Sequence, residues 1–294
     1  CMRILRLRDS SFLYRSVTAA DLNCAPNLSE PDHAADSVRQ DAQMTSDLLA
    51  DLAGQHTELW SLLEPLDERA WRQPSPCDGW DVADVVLHLH QTDELALASL
   101  RGELSSDLAE FMRAGGDSSV DDAAAASVAH ARGGSGPDVG AQWYESAVRL
   151  RSAFQGIDPS TRVQWVVGRL SARTLATTRL AECWIHTGDV ANALGVELAP
   201  TERLRHIARL AWRTLPYAFA RSGTELVGPV GFELVGPSGG RWDFGLDDHP
   251  VTVVSGSGAE LCEVAGRRRD PASTGLTVTG PDSDSVLRLV RTYA

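Results

Sequence analysis

The chain has 294 residues with 27 basic and 40 acidic side chains, a formal charge of −13, and no lysine, so every basic residue is an arginine. The missing lysine excludes a Schiff-base lysine, a pyridoxal phosphate anchor, a phosphate-loop lysine and a lysine general base. The acidic balance argues against a nucleic-acid or anionic-membrane partner, since both need a basic face, and it leaves anion binding to arginine.

Residues 1–43 carry no sustained amphipathic pattern and are read as a flexible extension; their first 16 residues lack the continuous apolar run of a signal peptide. The spacing of Leu48, Leu49, Leu52, Leu59, Leu62, Leu63 and Leu66 predicts a helix over 46–66, capped by Thr45 or Ser46. Beyond the loop 73–79, Val82, Val85, Val86, Leu89 and Leu97 predict a second helix over 81–100. The glycine- and alanine-rich stretch 102–140 reads either as a short helix with flexible flanks or as a lid. A third helix over 139–154, an extended segment over 163–167 and a fourth helix over 172–194, stopped by Gly195, complete an antiparallel bundle over 44–199.

Pro200 marks the expected boundary. A linking helix over 201–221 leads into short β-rich runs at 230–235, 241–245 and 251–255, separated by Gly-Pro, Gly-Gly and Asp-Asp turns. A helix over 258–267, a strand over 276–279 and a closing helix over 282–293 follow. This pattern predicts a small domain of antiparallel strands with helices around them over 200–294, and an α+β class for the whole chain. Cys1, Cys24, Cys77, Cys183 and Cys262 form no CxxC pair, so reduced cytoplasmic thiols are expected rather than a zinc ribbon or a disulfide framework. No apolar run reaches about 18 residues, so no transmembrane helix is expected.

The sharpest local feature is Glu182-Cys-Trp-Ile-His186 in the fourth predicted helix. Residues four apart stand over one another on a helix, so this carboxylate and imidazole face one point at a spacing suited to a metal ion. Asp189 lies one turn further along that face, where it orients a ligand or meets substrate. His88, among the apolar residues of the second helix, is the third ligand candidate. The same residues also fit a surface pair and an ordinary core histidine. Trp184, Ile185 and the leucines beside His88 imply burial, and buried polar groups need partners.

Anion recognition falls to Arg267-Arg268-Arg269: Arg267 is the candidate at the reacting centre and Arg268 the candidate for the cofactor, against the alternative of a solvated basic turn at a helix end. Arg213 and Tyr217, one turn apart on the linking helix, are further cofactor candidates, or else an exposed arginine beside a core tyrosine. His56 is assigned a hydrogen-bonding role, His90 faces away from His88, and Cys183 reads as an inert buried thiol. His33, His130, His206 and His249 have no partner at a telling spacing.

Leu48-Leu-Ala-Asp-Leu-Ala-Gly-Gln-His56 through Trp71, followed by Cys77-Asp-Gly-Trp-Asp-Val-Ala-Asp-Val-Val-Leu-His-Leu89, resembles the amino-terminal domain of the mycothiol-dependent maleylpyruvate isomerase family of actinobacteria. Leu180-Ala-Glu-Cys-Trp-Ile-His-Thr-Gly-Asp-Val-Ala-Asn-Ala-Leu-Gly195 resembles the same family's second signature, and the resemblance extends over 44–294. It implies a DinB-like four-helix bundle followed by a domain similar to sterol carrier protein folds. It also implies a divalent metal, usually zinc, on His88, Glu182 and His186, with mycothiol as thiol cosubstrate. Three protein ligands leave a coordination position open, the pattern of catalytic zinc.

The chemistry so implied is a metal-held thiolate that adds to a conjugated cis double bond and leaves after rotation, giving the trans isomer. The alternatives are thiol transfer to an electrophile, thiol-independent carbonyl polarisation or water activation, and a non-catalytic protein that binds a hydrophobic ligand around a structural metal. A small-molecule substrate, no nucleic-acid or membrane partner, a monomer or homodimer and a cytoplasmic location are expected.

Overall fold

A computed structural model describes residues 31–104, 120–166 and 168–292, with side chains for 47–104, 121–166 and 168–292. The first thirty residues of the expected extension, the middle of the 102–140 stretch, Val167 and the end of the expected closing helix at Tyr293 lie outside the described residues.

Helix α1 spans Pro31–Leu63, ahead of the start expected near Ser46, so residues 31–43 of the expected extension are helical. The polar residues 32–43 carry no apolar periodicity, so the sequence pattern does not mark them as helix. After the short α2 (Glu68–Trp71) comes α3 (Val82–Arg101). Asp81 and Asp84 form a reciprocal capping box at its start, and Gly102 ends it in the left-handed conformation at φ 77°. Helices α4 (Val120–Ala131) and α5 (Gly136–Gln155) precede a hairpin of β1 (Arg162–Trp165) and β2 (Gly168–Ser171). Strand β2 runs straight into α6 (Ala172–Leu194), which Ser171 caps by accepting from the Thr174 N–H and Gly195 terminates. Helices α1, α3, α5 and α6 pack pairwise, α1 on α5 and α6, and α3 on α5 and α6.

Helix α7 (Leu204–Ser222) leads to β3 (Val230–Val235), β4 (Arg241–Phe244), β5 (Thr252–Ser257), α8 (Gly258–Ala265), β6 (Thr277–Thr279) and α9 (Ser283–Leu289). The sheet order is β4-β3-β5-β6. The expected all-antiparallel arrangement is corrected here, because β3 and β5 pair in parallel while the outer pairs are antiparallel. Strand β4 returns the chain to the end of the sheet where β3 begins, and the short loop 245–251 then enters on the far side of β3 in the same direction.

One apolar cluster runs from Leu48 and Leu52 through Leu175 and Leu180 to Ile207, Phe232, Val254 and Leu261, so the core continues past Pro200. A second joins Leu59, Trp71, Val85, Val86, Leu89 and Trp143 around the turn that carries His88. Among the described residues, no helix is long and apolar enough to cross a membrane.

Close approach fixes one glycine. A Cβ on Gly136 would stand 2.1 Å from Cγ of Trp71, a side chain only 2 % exposed. Gly136→Ala is expected to destabilise the fold by about 1–3 kcal/mol through overpacking. A denaturant midpoint equal to that of wild type would show that Trp71 can give way.

Candidate active site

Two helices bring the chemistry together. His88 projects from α3 between Val85, Val86 and Leu89, all fully buried, and is itself 8 % exposed. Glu182 and His186 stand one turn apart on α6, the i, i+4 arrangement that the motif dictates. Oε2 of Glu182 lies 3.6 Å from Nε2 of His88 and 3.6 Å from Nε2 of His186. The three donor atoms lie within 4.8 Å of one another, a group that could hold a metal ion. The rings of the two histidines meet edge to face with centroids 5.0 Å apart, and Trp80 covers His88 at 5.3 Å.

Behind His186 lies a second layer. Nδ1 of His186 is 2.9 Å from Oδ2 of Asp189, a carboxylate only 1 % exposed. Arg268 clamps the same carboxylate, donating from Nε to Oδ1 and from Nη2 to Oδ2, both at 2.6 Å. The Cys77 thiol completes the set by donating to Oδ2 at 3.3 Å. Cys77 is held by the loop before α3, where its N–H donates to Ser75 Oγ and its carbonyl accepts from Trp80.

Burial and charge set the ionisation of these groups. Burial lowers His88 to about 4, so it is a neutral imidazole at neutral pH. Burial also works against protonation of His186, but Asp189, Cys77 and Glu182 outweigh it and lift the ring to about 10. Burial pushes Glu182 up, and the two histidines beside it more than reverse this, holding it well below the usual carboxylate range. Asp189 is likewise held low, its burial outweighed by His186 and Arg268.

The sequence-derived candidates divide clearly. His88, Glu182 and His186 converge, with Asp189 touching His186 and Arg268 touching Asp189. Arg267 takes a left-handed φ of 59° and makes no side-chain ion pair among the described residues, whereas its neighbour Arg268 turns inward. Arg213 is exposed and Tyr217 half-buried on α7, and neither has a hydrogen bond or ion pair to the cluster among the described residues. His56 is buried away from the cluster, accepts from Arg151 at 2.7 Å and is lowered to about 3 by burial and the nearby arginines. His90 pairs with Ser146, and Cys183 packs against Thr187 with its thiol pushed up by burial. Cys77 is the contributor that spacing alone does not mark; the signal for it is its place in the Cys77-Asp-Gly-Trp80 loop, directly before the helix that carries His88.

A helical core joined to a small mixed sheet, with a carboxylate and two imidazoles meeting between two core helices, defines the class. The family model described as the mycothiol maleylpyruvate isomerase N-terminal domain matches residues 52–191. An uncharacterized protein of Mycobacterium tuberculosis, found in two strains, is 33 % identical over 250 residues, which cover 84 % of this chain and 95 % of the relative. The crystal structure of the mycothiol-dependent maleylpyruvate isomerase superposes with a TM-score of 0.53 at 20 % identity, over 80 % of this chain and 92 % of that one. A histidine-to-alanine variant of that enzyme gives 0.52 over the same shares. The chain belongs to the mycothiol-dependent maleylpyruvate isomerase family.

Proposed function

We propose that the protein is a mycothiol-dependent isomerase of a cis-unsaturated acid, with a divalent metal, zinc by preference, held by His88, Glu182 and His186. The observation that carries this reading is the convergence of those three donors. At 3.6 Å Oε2 of Glu182 lies beyond hydrogen-bond distance of both facing ring nitrogens and within ion-pair distance of the protonated His186. Ligands about 2.0–2.1 Å from a tetrahedral zinc stand roughly 3.4 Å apart, close to the spacing here. A His2Glu set also suits other divalent ions. Bound there, the metal would supply a positive charge that keeps a coordinated thiol ionised near neutral pH.

The chain's own residues do the rest. The neutral His88 offers a lone pair, and Trp80 shields it from water. Asp189 accepts from Nδ1 of His186, which fixes the ring so that Nε2 faces Glu182. Arg268 compensates the Asp189 charge, so His186 is not the sole partner of a buried carboxylate. Arg267, beside it in the chain and without a carboxylate partner among the described residues, is assigned to the substrate carboxylate. Bound beside the metal, the thiol cosubstrate would supply a nucleophilic sulfur for reversible addition to the double bond. We read 44–199 as the DinB-like bundle and 200–294 as the domain similar to sterol carrier proteins, joined through the continuous core.

The test is turnover of maleylpyruvate by metal-loaded protein with and without mycothiol. Isomerisation is expected only when the thiol is present. Activity undiminished in its absence would sink the thiol mechanism.

A further inference from the structure

Beneath the cluster, α6 and α3 are joined by a buried ion pair that the proposed chemistry does not use. Arg179 and Asp93 are each 2 % exposed, 86 residues apart in sequence, with Nε of Arg179 2.9 Å from Oδ1 of Asp93. The other arm of the guanidinium donates from Nη2 to Oγ1 of Thr92 at 2.9 Å, and that hydroxyl donates to the main-chain oxygen of His88 at 2.9 Å. Arg179 lies one turn before Glu182 on α6, and Thr92 one turn after His88 on α3, so the fork spans both ligand-bearing turns.

We propose that Arg179 is a positioning residue, which with Asp93 and Thr92 sets the register of α3 against α6 and so the spacing of His88, Glu182 and His186. This rests on reading those three residues as a metal site. Stability does not account for the pair, because a buried ion pair is often matched or bettered by apolar residues of similar volume. The surrounding contacts are mostly Leu, Val and Ala, which interdigitate without direction and can pack in more than one register. A planar guanidinium is directional: it meets Asp93 and Thr92 together only when the helices stand in one register. Asp93 is pushed up to about 6 by burial, against the pull of Arg179, so the carboxylate depends on the fork for its charge.

The test compares the Arg179→Met/Asp93→Leu double variant with wild type by thermal unfolding of the metal-free proteins and by zinc affinity in competition with a chromogenic chelator. The apolar pair is expected to melt within about 5 °C of wild type and to bind zinc 10–100-fold more weakly, the range for altered support around a metal ligand. The visible spectrum of the cobalt-loaded double variant is expected to differ in intensity from that of wild type. Equal zinc affinity and an identical cobalt spectrum overturn the positioning role while leaving the metal site standing. Failure of wild type to bind zinc or cobalt overturns both. Should the double variant not fold, Thr92→Val carries the same test, since it removes the hydroxyl that links Arg179 to His88 at nearly constant volume. Weaker zinc binding at an unchanged melting temperature supports the proposal, and wild-type affinity overturns it.

Discussion

Glu182→Gln is expected to remove stoichiometric metal and to lower thiol-dependent turnover by more than about 100-fold, because changing the groups that merely support a metal ligand already costs 10–100-fold. Oε2 of Glu182 is the common neighbour of both imidazoles, 3.6 Å from each. Its full charge also offsets that of a dication, since the two other donors are neutral when they bind. Glutamine preserves the shape and removes that charge, so its effect on metal content exceeds its effect on folding. Elemental analysis after purification without chelator, with circular dichroism as the folding control, separates the two. His88→Ala is expected to act in the same direction and to leave a gap under Trp80. Wild-type metal content in Glu182→Gln would remove this carboxylate from the ligand set.

The parts of this site legible in the sequence are those set by local rules. The i, i+4 spacing places Glu182 over His186, and the apolar stripe around Val85, Val86 and Leu89 turns His88 inward, with no knowledge of the tertiary structure needed. The caps at Asp81, Ser171 and Gly195 fix both helices by the same local chemistry. What escapes notice depends on contacts between distant segments. Three consecutive arginines at 267–269 carry no periodicity, and only the left-handed turn at Arg267 determines that Arg268 meets Asp189. The Cys77-Asp-Gly-Trp80 loop places the cysteine just before the His88 helix, but its partner Asp189 is 112 residues away, so no spacing marks that contact. Strand β2 is four residues long and abuts α6, too short to show a periodicity of its own. The parallel pairing of β3 and β5 follows from the side of the sheet on which the loop 245–251 re-enters, which strand composition does not encode.

The clamp between Arg268 and Asp189 joins the segment after Pro200 to the helix that bears two of the three proposed ligands. Arg268→Ala is therefore expected to affect both stability and metal binding. Removing one partner of a fully buried pair costs roughly 3–5 kcal/mol. The Arg268 side chain retains 23 % exposure, so water can partly replace it, and a loss of about 2–3 kcal/mol is expected. That is a large share of the roughly 5–15 kcal/mol that holds a domain folded. Asp189→Asn keeps an acceptor for His186 Nδ1 but leaves Arg268 and His186 without their shared carboxylate, so it is expected to cost at least as much stability as Arg268→Ala and to weaken metal affinity by about 10–100-fold. In the double variant Arg268→Ala/Asp189→Asn the arginine is no longer needed to compensate a carboxylate. Its destabilisation is expected to fall short of the sum of the single changes by roughly 1–3 kcal/mol. Chemical denaturation of the metal-free proteins measures the stability terms, and chelator competition measures affinity. Strict additivity would mean that Arg268 and Asp189 act independently, and that the second half of the chain has no direct hold on His186.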